Sequence, residues 1–162
     1  MTTKADFGEE EWTRLKRGPF VAGMAISLAD PGGPIELVKE TAAMLKTVRS
    51  AGEGGRGELV DALAQEVVAE TSQRKNPLHD FKPKGALAGQ EILEELGEVN
   101  RIASAKATQE EAGAYRDWLK SAAQDAANAA KEGGFMGFHA ERVSEGEQRM
   151  LDKLAEVLAP PA

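Results

Sequence analysis

The chain of 162 residues contains no cysteine. Disulfides, thiolate metal sites and a cysteine nucleophile are therefore excluded, and the composition suits a reducing compartment. Histidine occurs twice and aromatic residues make up 5%. So few rings leave the core to Leu, Val, Ile, Met and many Ala, small side chains that let helix axes approach closely. Long hydrophobic runs are missing too. The longest uncharged stretch, Pro19 to Ala29, is about half the ~20 residues a membrane-spanning helix needs. No segment is basic: residues 1–50 carry seven charges of each sign, 51–100 carry five positive and ten negative, and 101–162 carry eight and ten. A nucleic-acid footprint is thus absent, and the acidic middle reads as a solvated face. Alternating β-branched runs are also missing, which argues against strands. The polar, acidic start MTTKADFGEEEW does not read as a signal peptide, so a cytoplasmic location is expected.

What remains is a globular profile, 41% hydrophobic and 29% charged, with a net charge of −7. It predicts an all-α fold: a compact single domain over 1–162, a bundle of six or seven helices. Asp6 with Glu9 forms a capping-box pattern, and Gly18-Pro19 reads as the stop of one helix and the start of the next. The segment 19–29 has no charge on any face, which predicts a helix buried at the bundle centre. Asp30-Pro31-Gly32-Gly33 breaks the chain before a helix opened by Pro34. A glycine loop at 52–57 precedes a helix over about 56–74, and 76–85, with two prolines, is the longest loop. Leu87, Ile92, Leu93, Leu96, Val99, Ile102 and Ala103 mark the next helix, with Glu91, Glu94, Glu95 and Glu98 read as facing solvent. Thr108 with Glu111 caps a helix carrying Tyr115, Trp118, Leu119, Ala122, Ala126 and Ala129. Ser144 with Glu147 caps the last one, which ends at Pro160-Pro161. Stretches of about 9–50 and 112–158 share a Trp, a small-residue helix and a glycine turn in the same order, a candidate internal duplication.

Candidate chemistry is sparse. Neither His79 nor His139 has the Glu three residues earlier that a di-iron bundle requires. Oxygen-ligand sites for a hard cation are conceivable at Asp30 with Glu36 and at His139 with Glu141, although Asp30 reads first as a turn residue. No nucleophile elbow exists, and His79-Asp80 lies in a proline-rich loop. Gly52-Glu53-Gly54-Gly55-Arg56-Gly57 could cradle an anion on backbone N–H groups, but it follows a helix and lacks the Lys-Ser/Thr pair of a P-loop, so it reads as a linker. The carboxylate pairs Glu36/Glu40, Glu91/Glu95 and Glu94/Glu98 read as hydrated. The loop GGFMGFHAERVS stands apart. Phe135, Met136 and Phe138 either tuck into the core or form an exposed apolar docking patch.

The blocks FGEEEWTRLKRGPFVAGMAISLADPGGP and EGGFMGFHAERVSEGEQRMLDKLAEVL resemble a family of short, uncharacterised bacterial helical proteins. The resemblance implies an all-helical fold and a prokaryotic origin, and it brings no catalytic residues. More distantly, Val143-Ser144-Glu145-Gly146-Glu147 is similar to the turn that opens a helix in the TerB-like fold of tellurite resistance. The Asp-Gly that precedes it in that fold is missing here. The resulting expectation is a non-enzymatic protein acting through protein–protein contacts, in a stress setting, with no cofactor. A metal- or ion-responsive TerB-like protein and a membrane- or lipid-interacting protein are the alternatives.

Overall fold

Six α-helices and no strand are found among the described residues, so the chain is an all-α bundle. They are α1 (Glu9–Ala29), α2 (Pro34–Gly52), α3 (Glu58–Ser72), α4 (Ala88–Lys106), α5 (Gln109–Glu132) and α6 (Glu145–Val157). Single 3-10 turns lie at Lys4–Asp6 and Gly85–Leu87. The structure, a computed structural model, describes residues 2–29, 34–132 and 145–161, without the side chains of 34–41 and 130–132.

Helix α1 is the axis of the bundle and touches all five others. Its uncharged half places Phe20, Val21, Ala22, Gly23, Ala25 and Ile26 inside, as an all-round apolar helix requires, and only Leu28 near its end is exposed. Gly23 allows the close approach of α2, because a Cβ there would fall 1.7 Å from the Met44 sulfur. The Ala face of α5, with Ala122, Ala123, Ala126 and Ala127 fully buried, runs along α1 and α2. Helices α3 and α4 flank α1, and α6 closes on α1, α4 and α5 through Leu154.

Several local expectations are corrected. Gly18-Pro19 does not separate two helices; both residues lie inside the continuous α1. Proline has no N–H, so the carbonyl of Leu15, four residues back, loses its helical donor. The buried Tyr115 hydroxyl donates to that carbonyl at 2.9 Å. Gly18 makes the space, since a Cβ there would lie 2.2 Å from the Tyr115 oxygen. Asp6 serves the turn before α1 instead, accepting from the Thr3 N–H at 2.7 Å, while Glu11 accepts from the Gly8 N–H at 2.9 Å. Glu95 does not face solvent but is 5% exposed. The Thr108–Glu111 box is present as read, with its two reciprocal bonds at 3.0 and 3.1 Å. Ser144 lies outside the described residues.

Candidate functional site

Buried charge gathers along α1. Lys16 and Arg17 are neighbours, so their side chains leave the helix in directions about 100° apart and meet different helices. Lys16, 4% exposed, reaches Glu66 of α3 at 3.1 Å and also binds Glu70. Glu66 further accepts from the Trp12 indole N–H at 2.9 Å and from Lys4 at 3.0 Å. Burial alone would raise the Glu66 carboxyl, but these three donors outweigh it and pull it down to about 2. His79, in the loop after α3, sets its Nε2 3.5 Å from Glu70.

On the other side, Arg17, 7% exposed, donates through Nε and Nη2 to one oxygen of Glu95 at 3.1 and 2.9 Å. Arg14, one turn earlier, takes the other Glu95 oxygen at 3.1 Å. Arg17 also reaches Asp80 at 3.2 Å and stacks on the Phe81 ring at 5.0 Å, which pins the 73–84 loop to the bundle. A cleft of about 510 Å³ opens over this cluster, bordered by Lys82, Glu91, Glu94 and Glu98. Of its five acids, Asp80, Glu95 and Glu98 are held by arginines, while Glu91 accepts from the Lys84 N–H at 3.3 Å and Glu94 from the Gln90 amide at 2.8 Å; its lining includes no serine, threonine or histidine. Its chemistry is therefore that of a rigid charged surface. Tyr115 lies behind it. Burial, followed by the negative field of Glu95, pushes its hydroxyl well above the ordinary value, so it stays a neutral donor to Leu15.

A second groove, of about 830 Å³, lies where the end of α4 meets the start of α5 and the chain after α6. Ala105, Ala112, Pro160 and Pro161 supply apolar wall, and Arg116 supplies charge. Arg116 is 9% exposed. Its Nη1 donates to Ser104 Oγ at 3.2 Å and Asn100 Oδ1 at 3.4 Å. The Asn100 amide in turn donates to the carbonyls of Val157 at 3.1 Å and Ala159 at 2.9 Å, so one buried side chain orients Arg116 and ties down the segment carrying the prolines.

The sequence-derived candidates fare unevenly. Asp30, His139, Glu141 and the interaction candidates Phe135, Met136 and Phe138 lie outside the described residues, as does the side chain of Glu36. Among the described residues no group of three or more His, Cys, Asp or Glu could hold a metal ion, and no helix is long and apolar enough to cross a membrane. The glycine loop before α3 is occupied by its own chain: Asp61 accepts from the Gly55 and Arg56 N–H groups at 3.1 and 3.2 Å. Asp80 is exposed and bound to Arg17, while His79 turns to Glu70, so the two form no relay. Glu91 is exposed where Glu95 is buried, and Glu98 is held by Arg101 at 2.9 Å. Sequence reasoning missed Lys16, Arg17, Glu95 and Arg116. A signal existed for Glu95, which stands three residues after Ile92 and four before Val99, inside the apolar stripe. Comparison of the chain with protein-family models, curated proteins and solved structures returned no match.

Proposed function

We propose that this protein is a non-enzymatic helical module that acts through protein–protein contacts in the cytoplasm. The observation that carries this reading is the fate of the ionisable groups. Glu66 and Glu95 are bound by two or three cations or donors each, Glu70 by Lys16, and Tyr115 by a backbone carbonyl. A general acid or base needs a proton it can exchange near the working pH; Glu66 at about 2 and Tyr115 well above the ordinary value are tuned away from it. Such networks fix helices against each other and leave a rigid surface for contact. The stress-response setting rests on the TerB-like resemblance alone.

The test is site-specific photo-crosslinking in cells that express the chain natively, from three exposed positions on different helices, Ala62, Glu94 and Gln124. The expected result is one discrete protein adduct from one face, followed by saturable binding of the two purified proteins. Adducts that are absent or equal at all three positions would overturn the reading, as would turnover of a small molecule by the pure protein.

A further inference from the structure

We propose that the groove at Arg116 is a binding site for a small organic monocarboxylate with an apolar tail. This goes beyond the contact reading and does not depend on it. Three cations are buried among the described residues: Lys16, Arg17 and Arg116. The first two are matched by carboxylates. Arg116 has only a hydroxyl and an amide oxygen, and no acid among the described residues lies within ion-pairing distance. A buried charge without a counter-charge costs stability, so its retention calls for a reason.

The geometry names the missing partner. Nη1 is held by Ser104 and Asn100, while Nε and Nη2 make no hydrogen bond to a described residue. That edge of a guanidinium presents two parallel N–H groups, the spacing that a carboxylate accepts in bidentate fashion. One anionic charge suits the site. The other rim cation, Arg101, is bound to Glu98, and Glu110 stands on the rim with a negative charge that a dianion would meet. The start of α5 borders the groove, and the positive end of its dipole favours the same sign. Ala105, Ala112, Pro160 and Pro161 then provide wall for an apolar body, and about 830 Å³ falls in the range of small-molecule sites.

The probe is octanoate, with octan-1-ol and octylammonium as matched controls, read by titration calorimetry and by the NMR signal of the Arg116 Nε–H. Octanoate should bind, shift that signal and raise the melting temperature, while both controls bind at least about tenfold more weakly, the worth of one charge-assisted pair. Arg116→Gln should lose binding by a similar factor. Ala105→Leu, at an exposed helical position, should block the tail while leaving the fold and the arginine intact, so it decides the question if the Arg116 variant fails to fold. Octanol matching octanoate, binding unchanged in Arg116→Gln or Ala105→Leu, or no binding of octanoate at all would each overturn the proposal. An acidic peptide that shifts the Nε–H signal where octanoate does not would also overturn it and assign the groove to a protein partner.

Discussion

Pro19 removes one donor from the ladder of α1, and the fold returns it from another helix. The Leu15 carbonyl and the space above Gly18, within one turn of α1, form a single device with the Tyr115 hydroxyl from α5. Tyr115→Phe should therefore cost about 1–3 kcal/mol, because a buried carbonyl is left without a partner. Pro19→Ala restores the N–H, so the carbonyl then has a donor with or without the tyrosine. In urea unfolding the Tyr115→Phe penalty should be smaller by about 1 kcal/mol in the Pro19→Ala background. Strict additivity of the two changes would show that the hydroxyl and the proline do not share the carbonyl. Gly18→Ala should be destabilising for a separate reason, the overlap of its methyl with the Tyr115 oxygen, and should be partly relieved in the phenylalanine background.

Between elements, the seams beside α1 divide what could be read from the sequence from what could not. Apolar stripes at helical spacing located α3, α4 and α5, and the uncharged run at 19–29 was legible as the centre, because periodicity is a local property of a helix. The stripe from Ile92 to Val99 singles out Glu95 among Glu91, Glu94, Glu95 and Glu98 as the acid placed to turn inward, but what makes an acid the choice there was not legible. The choice is made by Arg14 and Arg17, about 80 residues away on α1. Arg116 escaped for the same reason, since its neighbours on α4 and after α6 are joined only by folding. Glu95→Gln should cost about 3–5 kcal/mol by chemical denaturation, as it leaves Arg17 buried without its counter-charge. Arg14→Gln, at a partly exposed position, should cost less than about 1 kcal/mol. Comparable losses would mean that burial of the pair is not what matters. The α3 seam predicts a pH dependence. Glu66 is held at about 2 against an ordinary 4.5. A lowered carboxyl stabilises the fold above its unfolded value, and that contribution disappears as pH falls through the range from about 4.5 to about 2. Glu11, Glu98 and Glu111 are lowered as well and act in the same direction. The melting temperature should drop steeply over this interval, and Glu66→Gln should melt lower at neutral pH with a shallower acid slope. An identical slope in the variant would remove Glu66 from the account.

For the whole molecule, the position of α1 decides how the bundle can open. Every other helix lies on it, so none of its surfaces can be freed without separating several interfaces at once. Its two charged seams add that Lys16 and Arg17 would lose carboxylates on both sides in the same event. Peripheral helices differ: α6 buries Leu154 but leaves Met150 and Leu151 only partly covered, and local opening follows the number of buried contacts. Amide hydrogen exchange should therefore be slowest at Val21 to Ile26, with a free energy equal to that of global unfolding, and faster in α6 by sub-global opening. The same measurement bears on any membrane role for the apolar half of α1. Insertion into lipid requires that segment to leave the bundle, and if its amides exchange only on global unfolding, no partly folded state exists in which it is offered. Faster exchange at Val21 to Ile26 than in α3 or α5 would show instead that α1 can swing out while the remainder holds, and the bundle would then have to be described as built around α5, the other helix with a continuously buried face.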